Sequence, residues 1–529
     1  MKAVLILGAG VMQGPAIYSA KQKGYRVYVA DANAHALHAG DADVFLAIDL
    51  KDKDALLEAA KKIENLTGVF TAGTDFSASV AWIAEKLGLP GISYETAIKA
   101  SNKAAMRRCL KEAGVPVPAF CVIRSIDELG NAISSFSSIL RDPQIVFPLV
   151  VKPVDNMGAR GCRAVATFEE LVPAVSDALR YSRSGEVILE EYIEGPEFSL
   201  DALVLNDTIV IRGIADRHIE FFPFFVEMGH TMPSLYPQDV LDEVIDVFKR
   251  GIKAIGITRG AAKGDIKFSK AGASIGEIAA RLSGGYMSGW TYPGASGINV
   301  TSEALDIACG QNIVLNEETY NRVSAERACI SIPGIAANIE NNATAYDYVF
   351  TRIQPGDTVV FPTNNVEKCG NVIVTRDSRS EAEALAEEAA RNIIIRLKPN
   401  IKETDDFLAN KPPAVRRTAD GTIWPPDAFT AVDAMVLAMA ESMPDILRDE
   451  RPVKTIGIAP IYTIHDQKAR DWQGRTISES LEIIQKYTGA RLTKDADLVL
   501  GRIFWKALFR GGYQAGMYII DSMLAKRNA

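Results

Sequence analysis

Cysteine and histidine are scarce in this sequence, and neither residue type forms a metal-binding pattern. Only six cysteines and five histidines occur among 529 residues, and no two cysteines form a CxxC pair. Scattered cysteines of this kind are typical of free thiols in a reducing cytosol, and they argue against a disulfide framework or a zinc site. We therefore expect a cytoplasmic protein.

An excess of basic residues and a long apolar run are also absent. The formal net charge is −8, which argues against the basic surface that general nucleic-acid binding needs. No apolar stretch is long enough to cross a bilayer, and no basic region precedes the short apolar N-terminus, so we expect neither a membrane partner nor a secretion signal. With 48% hydrophobic residues, a chain of this length predicts a globular protein of several domains.

The N-terminal stretch AVLILGAGVMQG (3–14) has the pattern of a strand that leads into a glycine-containing turn. A helix over 12–23 and the strand RVYVAD (26–31) follow, so we predict a doubly wound parallel sheet. Dinucleotide binding is one interpretation, but the third glycine, Gly14, lies one residue later than G-x-G-x-x-G requires. Because doubly wound domains without a dinucleotide begin in the same way, residues further along the chain must decide.

Later patterns predict further strands, helices and a polar linker. We expect strands over 68–73 and 89–93, each ending in turn residues, and a helix over 101–120 that Gly114 and Pro116 terminate. An amphipathic helix is expected over 239–257 and another helix over 380–397. The remaining predictions are a linker over 402–421 and, over 504–527, a helix for packing or subunit contact rather than for a membrane surface.

The stretch FPLVVKPVDNMGARGC (147–162) has the pattern of an apolar strand that ends near Lys152 and is followed by a glycine-rich turn. Gly158 and Gly161 allow backbone N–H groups to approach phosphate oxygens closely, and the lysine adds a positive charge for the same anion. An ordinary hairpin turn beside a solvated lysine explains these residues equally well.

The stretch VILEEYIEGPEFSLDALV (187–204) forms a connector between two predicted strands. Its backbone N–H and C=O groups could meet a purine edge, and the carboxylate of Glu197 could accept hydrogen bonds from both ribose hydroxyls. A β-hairpin with acidic residues on its surface is the alternative.

The stretch AAKGDIKFSKAGASIGEIAARLSGG (261–285) predicts an antiparallel hairpin with its turn at 270–272. Asp265 and Glu277 lie on the two strands, where paired carboxylates suit Mg²⁺ that bridges nucleotide phosphates. Arg281 falls on the same strand face as Glu277 and could brace a phosphoryl group in transfer. Lone acidic residues on strands are otherwise usually surface residues.

In order and spacing, these three stretches resemble the ATP-grasp superfamily, and most closely its L-amino-acid ligases. D-alanine–D-alanine ligase and glycinamide ribonucleotide synthetase are similar as well. The resemblance covers roughly residues 1–400. It implies an α/β ATP-grasp fold preceded by a doubly wound parallel sheet domain and followed by a mostly helical C-terminal extension. The implied ranges are 1–98 for the N-terminal domain, 99–310 for the ATP-grasp domain with a lid subdomain at about 116–196, 311–400 for the lobe that completes the core, and 401–529 for a linker and helical extension.

The resemblance also implies roles for individual residues. Lys103 in SNKAAMRRCLKEAGVPVP and Lys152 match the two phosphate-binding lysines, and Lys152 and Arg281 would act in catalysis. Asp265 and Glu277 match the paired magnesium ligands. The other implied ATP-binding residues are Asn156, Met157, Gly158, Ala159 and Gly161 of the glycine lid, Glu190, Glu191, Tyr192 and Ile193 of the adenine hinge, and Glu197 at the ribose.

Two residues depart from the family pattern. Asn102 stands where an aspartate often precedes the first lysine, and Ala279 stands where many members carry an asparagine that also contacts metal. The sequence E-x-A-A-R also occurs in the amino-acid ligase branch. In this superfamily the domain before the ATP domain binds no dinucleotide, so the resemblance argues against NAD.

The implied activity is an ATP-dependent ligation of a small carboxylic acid to an amine, such as an amino acid, through an acylphosphate, with release of ADP and phosphate. ATP and Mg²⁺, for which Mn²⁺ could substitute, would be the cofactors, and small molecules the partners; a homodimer is compatible with the C-terminal helix. An ATP-dependent carboxylase that phosphorylates bicarbonate is one alternative, although no biotin-attachment A-M-K-M motif is present. A non-catalytic nucleotide-binding regulator is the other, although Asp265, Glu277 and Arg281 are all retained.

The substrate site is expected in two further segments. FFPFFVEMGHTMPS (221–234) resembles the loop that faces the acceptor in amino-acid ligases. Glu227 could hold an ammonium group there, and His230 could take its proton or bind a carboxylate, unless it is a structural histidine. Backbone N–H groups of the segment Ser283, Gly284 and Gly285 could bind the acyl oxygen.

Overall fold

The computed structural model describes residues 1–139, 147–312, 316–409, 475, 477–490 and 501–527. These residues fall into two compact units, which we describe separately. Unit 1 comprises 1–218, 229–326 and 373–384. Unit 2 comprises the described parts of 219–228, 327–372 and 385–529.

Strands and helices alternate along most of the described chain. The strands are β1 (Ala3–Leu7), β2 (Arg26–Asp31), β3 (Val44–Ala47), β4 (Leu66–Phe70), β5 (Phe120–Ile123), β6 (Leu149–Pro153), β7 (Arg163–Val165), β8 (Val187–Glu191), β9 (Glu197–Leu205), β10 (Thr208–Glu220), β11 (Val226–Met232), β12 (Arg259–Ser269), β13 (Gly272–Ala279), β14 (Val323–Cys329), β15 (Gly334–Asn341), β16 (Tyr348–Thr351), β17 (Thr358–Val359), β18 (Gly370–Arg376) and β19 (Ile393–Leu397). The α-helices are α1 (Gly14–Gln22), α2 (Lys53–Ala60), α3 (Ser77–Leu87), α4 (Tyr94–Ser101), α5 (Lys103–Glu112), α6 (Leu129–Ile139), α7 (Leu171–Tyr181), α8 (Gln238–Ile255), α9 (Tyr292–Ser296), α10 (Val300–Ala308), α11 (Arg379–Arg391), α12 (Lys402–Leu408), α13 (Ile477–Thr488) and α14 (Gly501–Arg527).

The N-terminal part of unit 1 is built on a four-stranded parallel sheet in the order β3-β2-β1-β4. All five residues of β1 are apolar and buried, as expected for a central strand of a sheet that is covered on both faces. This confirms the doubly wound parallel sheet. The expected strand at 89–93 is wrong, because Pro90 and Gly91 interrupt it and Ser93 instead caps α4 by accepting a hydrogen bond from the Thr96 N–H.

The glycine turn after β1 is filled by one of its own side chains. Gly8 has φ +101°, and a Cβ there would lie 2.9 Å from the Gln13 side chain. The Gln13 carboxamide accepts a hydrogen bond from the Gly10 N–H at 3.0 Å and donates to the Ala72 carbonyl oxygen. Asp31 accepts a hydrogen bond from the Ala9 N–H at 2.9 Å. These contacts brace the turn against its own sheet.

A second sheet in unit 1 is antiparallel, in the order β5-β8-β6-β7. Lys152 of β6 lies opposite Ile188 of β8, and Val150 lies opposite Glu190. Because the register pairs these residues antiparallel, Lys152 and Glu190 are diagonal neighbours on one face, within reach of a long side chain.

The large sheet of unit 1 runs in the order β13-β12-β9-β10-β11-β14-β18. The predicted amphipathic helix is α8, whose apolar stripe packs in a core cluster that includes Ile275 and Ile278 of β13. The predicted hairpin is the pair β12–β13, with Gly272 in a left-handed conformation at its turn. This hairpin carries the carboxylates discussed below.

Unit 2 contains the sheet β17-β15-β19, and its part of β18 neighbours β16. The helix expected over 380–397 ends instead at Arg391, and residues Ile393–Leu397 form β19. Three consecutive isoleucines favour the extended conformation because β-branched side chains lose freedom in a helix. The expected linker begins with the helix α12, and residues 410–421 lie outside the described residues.

The C-terminal helix α14 packs inside unit 2 and is kinked at Gly511 and Gly512. Trp505, Phe509 and Tyr513 are buried in a cluster with residues of α13. This confirms a packing helix in the C-terminal extension. Within the described residues, none of the helices combines the length and apolar character that a membrane span requires.

Candidate functional site

Lys103 connects three segments of unit 1 that are far apart in sequence. It is the first residue of α5, and Asn102 caps this helix by accepting a hydrogen bond from the Ala105 N–H at 2.9 Å. The Lys103 ammonium donates to the Asn156 carbonyl oxygen at 2.7 Å and lies 3.6 Å from a carboxylate oxygen of Glu277. Asn102 thus supplies the same N-cap oxygen that an aspartate would supply, so this departure from the family pattern leaves the start of the helix intact.

The glycine turn 156–161 adopts left-handed backbone conformations at Gly158, Ala159 and Gly161, with φ of +68°, +60° and +69°. At Gly161 a Cβ would lie 2.8 Å from the Tyr181 side chain, so glycine is required there for close approach as well as for φ. The turn is tied to α7 because the Asn156 amide donates to the Tyr181 carbonyl oxygen at 3.0 Å. Small residues at a turn let backbone N–H groups approach an anion.

The side chain of Glu190 binds two cations. Arg107 Nε donates to one carboxylate oxygen at 2.7 Å, and Lys152 Nζ donates to the other at 2.6 Å. Burial alone would raise the pKa of Glu190, but Arg107 and Lys152 lower it to about 2. Burial likewise opposes the charge on Lys152, but Glu190 keeps the pKa of this lysine above its ordinary value. The buried pair of Arg107 and Glu190 therefore fixes the Lys152 ammonium near the end of β6.

The hinge residues that follow Glu190 are held by Lys267. Its ammonium donates to the Ile193 carbonyl oxygen at 3.1 Å, lies 3.6 Å from a carboxylate oxygen of Glu197 and lies 5.3 Å from the Tyr192 ring centroid. Glu191 is exposed at the end of β8. The adenine and ribose roles of residues 190–197 stay predictions, and Lys267 is the side chain that connects the two groups.

Asp265 and Glu277 lie directly opposite each other in the β12–β13 hairpin. Directly opposed residues of an antiparallel pair point to the same face, so both carboxylates share one side of the sheet. Glu277 keeps 30% of its side chain exposed. Burial would raise its pKa, but Lys103, Lys263, Arg281 and Lys152 together hold it well below the usual range. Two carboxylates on one face are the hard oxygen donors that a divalent cation requires, so these residues fit the magnesium role.

Asp265 is already surrounded by donors. Arg217 Nη1 lies 3.1 Å from one carboxylate oxygen, and the Lys263 ammonium contacts the same oxygen. Ser199 donates its hydroxyl to the other oxygen at 3.2 Å. Arg217 also contacts Glu197. The charge of Asp265 is thus balanced by side chains of this chain.

Arg281 follows the end of β13 and faces Asp75 of the N-terminal part of unit 1. Its Nη2 lies 3.3 Å from Asp75, and its Nη1 donates to the Leu282 carbonyl oxygen at 3.1 Å. Nε of this buried arginine has no hydrogen-bond partner among the described residues. A buried donor without a partner is costly, so this N–H suits a bound anion.

The segment after Arg281 is anchored by a carboxyl group that the sequence did not indicate. Asp201 accepts hydrogen bonds from the Ser283 N–H at 2.8 Å and from the Ser283 hydroxyl at 2.5 Å. The Ser283 N–H is therefore occupied, whereas its expected role was to bind an acyl oxygen. Gly284 packs against Gly73, next to the Ala72–Leu282 bridge. The expected acyl-oxygen role of the segment thus depends on Gly284 and Gly285.

Replacing Asp201 by asparagine should change how stability depends on pH. Burial is the main cause that raises the pKa of Asp201 from 3.8 to about 6. A raised pKa means that the folded state holds the proton more tightly than the unfolded chain, so Asp201 contributes stability below pH 3.8 and loses this contribution as pH rises through about 6. The full shift corresponds to about 3 kcal/mol in the free energy of unfolding. Between about pH 5 and 7.5 we expect wild type to lose about 1 kcal/mol relative to Asp201→Asn, which has no such titration. Urea unfolding of wild type and Asp201→Asn at both pH values measures the difference between their free energies of unfolding. The same difference at both pH values would contradict a raised pKa for Asp201.

The two residues expected at the acceptor site have different surroundings. His230, in unit 1, is buried, with Nδ1 3.2 Å from Glu326 and Nε2 3.0 Å from the Thr291 hydroxyl. Glu227, in unit 2, is partly buried, and its backbone N–H donates to Asn365 at 2.7 Å. Both acceptor roles stay predictions.

Several side chains at this site were not predicted from the sequence: Asp75, Arg107, Asp201, Arg217 and Lys263. Only Lys263 carried a usable signal, because it lies two residues before Asp265 and therefore on the same strand face. Three of the other four contact partners more than eighty residues away in the chain, and Arg217 contacts Asp265, 48 residues away, so no local pattern marks them.

Comparison with known families agrees with this geometry. Residues 145–289 match the ATP-grasp domain family, and residues 342–398 match the family described as L-amino acid ligase C-terminal domain 2. The first match contains the glycine turn, the hinge and the carboxylate hairpin.

Similar proteins span much of the chain at low identity. The uncharacterized protein y4rH of Sinorhizobium fredii is 26% identical over 363 residues, which are 65% of this chain and 72% of that protein. Carnosine synthase 1 of Gallus gallus is 24% identical over 55% of this chain, which spans a third (33%) of that enzyme. The crystal structure of L-amino acid ligase from Bacillus licheniformis has a TM-score of 0.65 and 20% identity, and the match covers 75% of this chain and 99% of that one. At this identity the structural likeness shows the fold.

The fold and the two family matches define an ATP-grasp protein. The chain thus contains an ATP-grasp domain at 145–289 and, at 342–398, a domain of the type found at the C-terminus of L-amino acid ligases. The ATP-grasp ligases to which it is similar are ADP-forming carbon–nitrogen ligases.

Proposed function

We propose that this chain joins a small carboxylic acid to the amino group of an amino acid, with ATP activating the acid as an acylphosphate. The observation that carries the proposal is the position of Lys103, whose ammonium contacts both the glycine turn and Glu277. A phosphate chain at this ammonium would lie between the turn and the carboxylate hairpin, with Lys152 nearby.

In the proposed first step, a carboxylate oxygen of the acid attacks the γ-phosphorus of ATP, and the bond from that phosphorus to the β–γ bridging oxygen breaks. ADP leaves with the electron pair. Charge is spread over the equatorial phosphoryl oxygens, and fixed cations stabilise it most where water is excluded. Lys103, Lys152 and Arg281 are the fixed cations proposed for this task.

Asp265 and Glu277 would hold magnesium, which when bound neutralises negative charge on the nucleotide phosphates. Glu277 has the more accessible carboxylate of the two, because its side chain is 30% exposed whereas that of Asp265 is 9% exposed.

In the proposed second step, the amine nitrogen attacks the acyl carbon, the bond from that carbon to the phosphate oxygen breaks, and phosphate leaves. The attacking nitrogen must lose a proton, for which His230 is the candidate acceptor. Its ring already contacts Glu326, which would stabilise the protonated imidazole. N–H groups of Gly284 and Gly285 are the proposed donors to the acyl oxygen.

A phosphate-release screen over pairs of small acids and amino acids tests the proposal. We expect ADP and phosphate to form only when an acid and an amine are present together, and mass spectrometry should find the amide. ADP formation with bicarbonate in place of the acid would favour the carboxylase alternative. Binding of ATP without turnover for any pair would favour a regulator. A Glu277→Ala preparation controls for contaminating ATPase.

A further inference from the structure

Lys263 occupies a central position on the face that carries both carboxylates. In the register of the large sheet it lies opposite Asp201 of β9 on one side and opposite Ala279 of β13 on the other. Two residues further on, Asp265 lies opposite Ser199 and Glu277. Directly opposed residues share a face, so the Lys263 side chain projects among carboxylates.

The neighbour at position 279 leaves space for this lysine and offers no ligand. Ala279 is buried and its side chain is a methyl group, so it has no oxygen for a metal ion. The Lys263 side chain is 13% exposed, and its ammonium contacts Asp265. A partly buried lysine beside an alanine thus supplies a positive charge where a larger polar residue at 279 could have supplied a metal ligand.

The two carboxylates differ in what surrounds them. Both oxygens of Asp265 already have partners, namely Lys263 and Arg217 on one and Ser199 on the other. Arg217 is shared with Glu197, whereas the ammonium of Lys263 is directed to Asp265. Glu277 has Lys103 at 3.6 Å and is the more exposed carboxylate. A divalent cation bound to Glu277 would therefore lie beside Asp265, whose negative charge is already balanced by Lys263 and Arg217.

We propose that the Lys263 ammonium takes the place of a second divalent ion, so that the nucleotide complex holds a single ion, bound chiefly through Glu277. This inference rests on the proposed function, because it assumes that nucleotide binds at this hairpin. A fixed ammonium supplies one positive charge without needing further oxygen ligands. It also repels a second divalent cation at the same carboxylate.

Counting Mn²⁺ in the complex with a non-hydrolysable ATP analogue tests this inference without any turnover. We expect about one Mn²⁺ per chain by elemental analysis after gel filtration, and the EPR spectrum of a magnetically isolated ion. Two ions in one site lie only about 3.5–4 Å apart, so a pair would give a spin-coupled spectrum. Lys263→Met keeps the aliphatic stem but removes the charge, and should bind a second Mn²⁺ at least about tenfold more tightly than wild type does.

Two further variants make the comparison sharp. Lys263→Arg keeps the charge and should retain a single isolated ion, even if Lys263→Met is poorly folded. Lys270→Met removes an exposed lysine at the turn of the same hairpin and should also retain one ion.

Each outcome decides the question. One isolated ion in wild type and a coupled pair in Lys263→Met would support the inference. A coupled pair in wild type or in Lys263→Arg, or one unchanged ion in Lys263→Met, would overturn it while leaving the proposed ligase activity standing. If the analogue does not bind at all, the proposed function fails, and the inference fails with it.

Discussion

Lys152→Ala should lower the rate of ADP formation by about 10²–10³-fold at saturating ATP and Mg²⁺, which corresponds to the loss of about 2.7–4 kcal/mol of transition-state stabilisation. Lys152 lies near the end of a buried strand, and its ammonium is fixed 2.6 Å from Glu190. A charge that is already in place before the reaction is worth more than a mobile one, because no reorganisation is required when the phosphoryl group moves.

The alanine variant should remain folded, because Arg107 still pairs with Glu190 after the lysine is removed. Circular dichroism and the melting temperature check the fold, and a coupled ADP assay measures the rate. Lys270→Ala removes an exposed lysine at the turn of the carboxylate hairpin and should keep wild-type turnover. Turnover of Lys152→Ala within about threefold of wild type would refute the phosphate role of this lysine.

Glu277→Ala should also abolish most ADP formation, by about 10²-fold or more, because it removes the accessible carboxylate proposed to hold magnesium. Lys103, Lys263 and Arg281 all act on this carboxylate, so its loss leaves a group of cations without their shared anion. We therefore expect the variant to bind the free nucleotide anion while its turnover no longer responds to added Mg²⁺.

Two conservative variants separate charge from shape at this position. Glu277→Gln keeps the size and loses the charge, so it should behave like the alanine variant. Glu277→Asp keeps the charge on a shorter side chain, so it should retain partial activity and need more Mg²⁺. The measurement is the initial rate as a function of Mg²⁺ concentration at fixed ATP. A Glu277→Gln enzyme with a normal Mg²⁺ response would exclude Glu277 as a metal ligand.

Structural elements with a local sequence pattern could be predicted from the sequence. The strand KAVLILG, the amphipathic helix α8 and the hairpin that carries Asp265 and Glu277 were all expected and are all present. In each case the signal lies within about twenty residues, as a run of buried apolar side chains, a helical stripe or two strands joined by a glycine turn.

Contacts across the chain could not be placed in this way. The sequence pattern predicts that Arg107 is an ordinary residue on the polar face of a helix. In the structure it is buried and contacts Glu190, 83 residues away. The apolar strand pattern around Asp201 predicts no role for this residue. In the structure it accepts a hydrogen bond from Ser283, 82 residues away. Asp201 meets Ser283 because the large sheet brings β9, β12 and β13 together, and Arg107 meets Glu190 because α5 packs near β8. Local periodicity does not predict either arrangement.

Local signals also fail where two structures compete for the same residues. The isoleucines after α11 continue a helical stripe in the sequence, but they form β19, where β-branched side chains pair with β15. The stretch 89–93 contains apolar residues that suit a strand, but its proline and glycine place it in a loop.

The transfer of ¹⁸O from the acid to phosphate tests the central proposal most directly. The acid is supplied with ¹⁸O in its carboxylate, together with ATP, Mg²⁺ and the amine identified by the screen, and the released phosphate is analysed by mass spectrometry. If the carboxylate attacks the γ-phosphorus, each phosphate should carry one ¹⁸O atom and the nucleotide product should be ADP. Phosphate without label from the acid, or AMP and pyrophosphate as products, would contradict activation of the acid as an acylphosphate.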